Sequence, residues 1–382
     1  MKKTFVLIFF AVYLMFSIYN ILVPSKEFLE NENRYSAKMP EFSMEAFASG
    51  EYTKDIEKYI TDKTAFRDIF VSVKANVEKL SGKKENNGVH FAKDGYLIQT
   101  FNNSDYTSVI DSNINAINKL SKNPEFNVSF ALIPTAYEIL KDKLPQYAYT
   151  PYQKEIIQYA KDKLPQVNFI DSLKSLENSE EKYLYYRTDH HQTMHGSFVV
   201  YKDIITSLGL RPYDKDNFNI EKISDDFYGT TWSKSTVSVK GDSIFKYTPK
   251  FKVSYKVNYD DITNSDSLYS EKNIAIKDKY TYYLDGNHGI TTIKTSLESE
   301  GELFYKKGEK LAVIKDSYSH SIIPFLANHY EEIVVFDLRY YNLNVPKYLI
   351  DKGIDNVLFI YNTDNFISDN NLKKITAYLQ SM

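Results

Sequence analysis

Leu311-Ala312-Val313-Ile314-Lys315-Asp316-Ser317-Tyr318-Ser319 is a short apolar run that ends on a serine. A run of this length bounded by polar residues fits a buried strand, with the serine just past its C-terminal end. In open α/β sheets that edge is where sites are built. The stretch to read beside it is Tyr186-Arg187-Thr188-Asp189-His190-His191-Gln192-Thr193, which sets a carboxylate and an imidazole two positions apart. In an extended segment Asp189 and His191 point to one side and His190 to the other. The carboxylate can then accept from one ring nitrogen while the other nitrogen faces an incoming hydroxyl. Serine, imidazole and carboxylate are the raw parts of a hydrolytic or acyl-transfer site. Spacing alone favours a plainer reading, since Asp-x-His pairs arise by chance and most serines after strands only cap the next helix. The rest of the chain shifts the balance.

Around these stretches strands alternate with helices, the pattern of a parallel sheet covered by helices on both faces. Residues 126–133 and 167–171 read as strands, and residues 110–120 and 152–163 as helices. Thr193 can cap a helix over 194–207 that Gly209 stops. Later come a strand at 311–315, a helix at 321–330 with Pro324 in its first turn, and strands at 333–337 and 357–361. Val89-His90-Phe91 and Tyr96-Leu97-Ile98 flank Asp94-Gly95 as a hairpin. Between the halves, residues 225–308 change character. Thr236-Val237-Ser238-Val239-Lys240 and residues 250–257 alternate apolar with polar, so a β-rich insertion is expected, folded over the rim of the sheet. Inside it, Asp285-Gly286-Asn287-His288-Gly289 is either a plain turn or a turn that offers the Asn287 amide to an oxyanion.

Composition narrows the class. The 382 residues hold 47 basic and 50 acidic side chains, a near balance that argues against a nucleic-acid partner. There is no cysteine, which excludes disulfides, thiolate metal sites and a thiol nucleophile. His190, His191 and His195 lack a third partner at zinc-ligand spacing, so no metal is expected, and triad chemistry calls for no cofactor. His195 and His329 read as capping or surface residues at helix ends. Tyrosine numbers 33, phenylalanine 24 and tryptophan one. Such rings can stack on sugars, but for most positions a composition bias accounts for them.

At the amino terminus Lys2 and Lys3 precede an uncharged apolar run over residues 5–23. At about 1.5 Å per residue it spans roughly 28 Å, close to a bilayer's hydrocarbon core. Pro24-Ser25-Lys26-Glu27-Phe28 follows, with no small-x-small cleavage site, so an uncleaved signal anchor is expected over residues 1–24. The basic residues before the span place the remainder outside the cytoplasm, in a single-pass cell-membrane protein. Residues 25–88 read as a helical stalk and packing segment, with Asp62-Lys63-Thr64-Ala65-Phe66-Arg67 as a break between two helices.

Thr188-Asp189-His190-His191 with Gly196, Asp285-Gly286-Asn287-His288, residues 316–321 and Phe336-Asp337-Leu338-Arg339-Tyr340-Tyr341 together resemble the DHHW family of bacterial cell-surface proteins. Glu32-Asn33-Arg34, Asp62 and Phe66-Arg67 resemble that family's opening segment. The family is similar to the SGNH-hydrolase-like proteins that O-acetylate alginate and other exopolysaccharides. The resemblance covers most of the chain from about Glu32. It implies a three-layer α/β/α SGNH-hydrolase-like domain over residues 89–382, carrying the β-rich insertion and preceded by the transmembrane helix. It implies Ser317 as nucleophile, His191 as base and Asp189 as its orienter. Gln192 stands where the family usually has tryptophan, and the order Asp…His…Ser reverses the usual SGNH order.

The chemistry implied is an acetyl-serine intermediate, its oxyanion met by backbone N–H groups from Tyr318 onward and by Asn287. Arg339 either clamps a substrate carboxylate or pairs with a buried acid. Transfer to a sugar hydroxyl makes an extracytoplasmic O-acetyltransferase of an exopolysaccharide or cell-wall glycan. The resemblance implies that a membrane-bound O-acyltransferase supplies its acetyl groups. Transfer to water makes a carbohydrate acetylesterase, and a non-catalytic glycan-binding or assembly protein is a third reading.

Overall fold

The computed structural model describes residues 2–22, 26–32, 34–101, 107–298 and 304–380. Val23, Pro24, Ser25 and Asn33, used above in reading the apolar span and the early motif, lie outside the described residues. The chain divides into two compact units. One holds Met1–Asn87 with Trp232–Val239, the other Gly88–Thr231 with Lys240–Met382.

In the first unit α1 runs over Lys2–Leu22. Its segment Lys3–Asn20 is long and apolar enough to cross a membrane. Next come α2 (Met44–Ser49), α3 (Glu51–Lys63) and α4 (Arg67–Leu80). The Ser43 hydroxyl accepts from the Ala46 N–H and so caps α2. The expected break between α3 and α4 is present, with Phe66 in the left-handed region at φ 59°. Its anchor is Asp62, a buried carboxylate that accepts two guanidinium bonds from Arg34, at 2.7 and 2.8 Å, and one from the Ala37 N–H. The Arg34 hydrogen bonds hold the Asp62 carboxyl below its ordinary range despite burial. Arg67 pairs with Glu32 at 2.5 Å, so the early-motif residues Glu32, Arg34, Asp62 and Arg67 form one ion-pair cluster.

The second unit is mixed α/β, built on an eight-stranded sheet. Its strands are β1 (Asn127–Ile133), β2 (Asn168–Ile170), β3 (Val253–Tyr259), β4 (Thr263–Ser265), β5 (Ile290–Leu297), β6 (Lys306–Lys315), β7 (Tyr330–Phe336) and β8 (Asn356–Asn362). They lie in the order β4-β3-β5-β7-β6-β8-β1-β2. From β7 to β2 all neighbours are parallel, while β5, β3 and β4 are added antiparallel. The registers Val313↔Val335 and Val313↔Leu358 put β6 in the parallel part with a neighbour on either side. Leu311 to Ile314 are fully buried, which is why this stretch reads as continuously apolar rather than alternating. Leu311, Val313 and Ile314 each contribute about 1.5–3 kcal/mol on burial. The unit's longer helices are α5 (Thr107–Ser121), α6 (Tyr152–Lys163), α7 (Met194–Ser207), α8 (Val345–Lys352) and α9 (Lys373–Gln380).

The region 225–308 differs from expectation. Three of its strands, β3, β4 and β5, extend the main sheet, and among the described residues Phe218–Phe227 with Asp242–Pro249 forms a separate two-stranded ribbon. The alternating run 236–240 is no strand: it follows a one-turn helix, Thr230–Ser235, and Thr236 has φ 53°. The helix expected over 321–330 shrinks to Ile323–Leu326, preceded by a 3₁₀ turn Ser317–Ser321. Tyr330 already belongs to β7, where it pairs with Lys306, so strand pairing takes the residues that helical spacing had claimed.

Candidate active site

Strand β6 delivers Ser317. Asp316 is buried, and its side chain accepts from the Tyr318 N–H, the Asn362 N–H and the amides of Asn362 and Asn365. Burial pushes its carboxyl up, and these donors oppose the push. They join the turn after β6 to the end of β8 and leave Ser317 half-buried at the sheet edge.

The second stretch is held as a pinched loop. The Tyr186 N–H donates to the His191 carbonyl and the Thr193 N–H to the Leu184 carbonyl, closing the loop at its neck. Thr193 caps α7 by accepting from the Gly196 N–H. A Cβ on Gly196 would lie 2.1 Å from the Leu184 carbonyl oxygen, so the loop can approach the helix only over glycine. Asp242, buried in the ribbon, accepts from the Arg187 and Thr188 N–H groups and from the Tyr183 hydroxyl.

These supports bring the three residues together. Asp189 Oδ1 lies 2.5 Å from His191 Nδ1, and His191 Nε2 lies 2.8 Å from Ser317 Oγ. Asp189 meets His191 through a turn rather than an extended segment, because Oδ1 also accepts the His191 backbone N–H at 3.0 Å. The other oxygen, Oδ2, accepts from the N–H and the hydroxyl of Thr230. Burial works against the charge on Asp189. The neighbouring imidazoles and the bonds from His191 and Thr230 outweigh it and hold the carboxyl well below the ordinary range. The carboxylate thus selects the tautomer in which Nδ1 carries hydrogen and Nε2 faces Ser317.

His190 does not point away from the pair. Its ring centroid lies 3.8 Å from that of His191, and its Nδ1 is 2.6 Å from the Thr230 hydroxyl. Asp189, His190 and His191 carry ligand-type atoms within 4.8 Å of one another, but the hydrogen bonds just described already engage them.

The remaining predicted residues divide. The Tyr318 ring centroid is 5.5 Å from that of His191, and its hydroxyl donates to the His190 carbonyl. The Tyr318 N–H donates to Asp316 Oδ1 and the Ser319 N–H to the Asp316 carbonyl, so the first amides after Ser317 are already engaged. Arg339 grips buried Asp337 with two nitrogens, and Asp337 in turn accepts from Lys315 Nζ at 3.0 Å. Lys315 also donates to His320 Nε2, a neutral imidazole whose basicity burial drives far down. Asn287 is exposed, and its side-chain oxygen meets Arg339 at 3.4 Å. Among the described residues no hydrogen bond joins Asn287 or Arg339 to the triad.

One further correction concerns a histidine. His329 is wholly buried, not capping a helix: its ring meets the Phe304 carbonyl and the Tyr201 hydroxyl. His195 lies in the first turn of α7 against the Tyr247 hydroxyl. Gln192 is also fully buried, and its side-chain carbonyl has no partner.

Sequence reasoning missed Tyr280. It comes from a 3₁₀ turn of the insertion, stacks on the His191 ring, and donates its hydroxyl to the Ser317 carbonyl at 3.0 Å. One tyrosine among 33 carries no signal of its own.

No curated protein matches the chain by sequence. Two solved structures align over about three quarters of it. A DHHW family protein from Eubacterium siraeum is 23% identical, covering 77% of this chain and 96% of its own, with a TM-score of 0.61. Bacillus cereus PatB1, solved with a sulfonyl adduct, is 24% identical, covering 74% and 97%, also at 0.61. At these identities the likeness is one of fold. The model of the DHHW protein family matches residues 91–336, which include Asp189, His191 and Ser317 and make up more than half of the sequence, and the chain therefore belongs to the DHHW family.

Proposed function

We propose that this protein is an extracytoplasmic O-acetyltransferase that acetylates an exopolysaccharide or cell-wall glycan through an acetyl-serine intermediate. The observation that carries the reading is the relay from Asp189 Oδ1 to His191 Nδ1 at 2.5 Å and from His191 Nε2 to Ser317 Oγ at 2.8 Å. Those lengths are hydrogen bonds without a bridging water, the geometry a general base needs.

His191 Nε2 takes the Ser317 proton as Oγ bonds to the acetyl carbonyl carbon. Asp189 stabilises the imidazolium. Collapse of the tetrahedral intermediate breaks the donor's ester bond, and His191 returns the proton to the leaving oxygen. A sugar hydroxyl then gives its proton to His191 as it attacks the acetyl-serine carbonyl, and the acyl–Oγ bond breaks with His191 returning that proton to Ser317 Oγ. With the Tyr318 and Ser319 amides engaged, the Ser317 N–H is the backbone donor assigned to the oxyanion.

The reading includes a three-layer α/β/α SGNH-like domain over residues 89–382, a membrane anchor over 1–24 and a helical segment over 25–88 between them. Acetyl-CoA is absent outside the cytoplasm, so a membrane-bound O-acyltransferase is assigned as the acetyl source. PatB1's sulfonyl adduct supports the reading by analogy of fold, because such an adduct is what an activated side-chain nucleophile forms.

The test gives the purified full chain an activated acetyl ester, with and without oligosaccharide acceptors, beside Ser317→Ala and Asp189→Asn. Acetylated sugar that depends on Ser317 is the expected result, with Asp189→Asn slower by about 10⁴ through loss of the correct tautomer. Acetate release without sugar acetylation would make the protein an esterase. Glycan binding with no Ser317-dependent turnover would make it a binding protein.

A further inference from the structure

The apolar side of α4 faces away from the unit that carries it. Ile69, Phe70, Val73, Val77 and Leu80 recur at three and four, within an arc about 100° wide. Each is at least 54% exposed and Leu80 is 87% exposed, whereas Ala75 on the opposite side is buried. A helix of a water-soluble domain turns its apolar stripe to the core. Here the stripe is outside, and a continuous exposed stripe of this kind marks an interaction surface.

Where the stripe begins indicates what covers it. Phe70 meets Phe16 of α1 edge to face at 6.2 Å, and Phe66, just before α4, stacks on Tyr19 at 5.4 Å with planes 6° apart. The Asn20 side-chain oxygen accepts the Ala65 N–H at 2.6 Å. The start of the stripe is therefore fastened to the last turns of the helix that is apolar enough to cross a membrane. Phe66 holds a left-handed backbone, which a bulky side chain adopts only where its surroundings impose it. Tyrosine, with its amphipathic ring, is enriched where hydrocarbon meets water, and Tyr19 stands at this junction.

We propose that α4 is an interfacial helix whose stripe rests on the lipid surface beside the point where α1 leaves the bilayer. The stripe then continues the apolar surface of α1, and the unit lies along the membrane instead of standing off it. The inference rests on α1 as the anchor in the function proposed above and is independent of the Ser317 chemistry.

The absence of cysteine makes the test direct. Val73→Cys, Val77→Cys and Leu80→Cys, with Glu78→Cys on the polar side and Leu14→Cys in α1, are spin-labelled one at a time in the full chain. The protein is reconstituted in phosphatidylglycerol–phosphatidylethanolamine vesicles, and collision with oxygen is compared with collision with a water-soluble nickel chelate. The expected result is a several-fold higher oxygen-to-nickel ratio at Leu14 and the three stripe positions than at Glu78. Stripe labels open to nickel while Leu14 remains in lipid overturn the proposal. Stripe labels shielded from both probes also overturn it and give the surface to a protein partner. If Leu14 itself is in water, the anchor has failed and the interfacial placement fails with it.

Discussion

The Tyr280 ring lies flat against the His191 imidazole, with centroids 3.7 Å apart and planes 9° from parallel. His190 lies close to the same imidazole at 3.8 Å, and the Tyr280 hydroxyl reaches the Ser317 carbonyl and Ser321 Oγ. One buried side chain thus fixes the plane of the base and the turn that carries the nucleophile.

Tyr280→Phe keeps the stacked ring and loses the hydroxyl, whose bond to the Ser317 carbonyl is worth about 1 kcal/mol, so kcat should fall about fivefold with KM unchanged. Tyr280→Leu loses both contacts and should lose about 10² in kcat. Steady-state kinetics on Ser317-dependent turnover, with thermal melting as the folding control, checks both. Full activity in a folded Tyr280→Leu protein would show that the stacking positions nothing.

A Cβ at Gly229 would stand 2.2 Å from Asp189 Oδ2. No side chain fits there without moving the carboxylate that orients His191. Gly229→Ala is therefore expected to cut turnover by about 10³, approaching the effect of removing the orienting acid. Circular dichroism and melting separate this loss from unfolding.

The buried, unpartnered carbonyl of Gln192 costs about 1–3 kcal/mol of desolvation. The Gln192 amide N–H reaches the Tyr185 hydroxyl oxygen only at 3.5 Å, and that hydroxyl donates in turn to the Pro134 carbonyl at 2.7 Å. Gln192→Met, apolar and of similar volume, should raise stability by about 1 kcal/mol and leave turnover unchanged. Thermal or urea unfolding measures it, and a loss of stability would mean the amide is satisfied in solution.

Stability should fall with acid through His329. Burial lowers its pKa from 6.5 to about 4, and in the fold its neutral ring lies between the Phe304 carbonyl and the Tyr201 hydroxyl. Below pH 6.5 the unfolded chain binds a proton that the folded chain refuses until about pH 4. The contribution is therefore whole above pH 6.5 and is lost as the pH falls from 6.5 toward 4. At pH 5 it amounts to a loss of about 2 kcal/mol. His329→Gln should flatten that slope, as read from urea unfolding at pH 7 and pH 5.

Residues whose burial or chemistry repeats locally were legible in the sequence. The apolar runs of β1, β6 and β8 and the capped start of α7 reflect hydrophobic periodicity and capping, which act within a few residues. Ser317 and the Asp189/His191 pair could be named because each sits in a short stretch whose residue types already suggest its chemistry. The extent of the helix after Ser317 could not be read, since it was set by pairing between Tyr330 and Lys306.

By itself, then, the sequence determined the alternation of strands and helices, the apolar amino-terminal helix and the residue types of an acyl-transfer site. Only the tertiary structure decided that 126 positions of chain between His191 and Ser317 close to 2.8 Å. It alone brought Tyr280, Thr230 and Gly229 from the insertion onto the triad and put β3, β4 and β5 into the main sheet. The physical reason is that these contacts join segments far apart in the chain. Their partners are chosen by the packing of the whole sheet and by the need of buried polar groups for partners, and no local pattern records either.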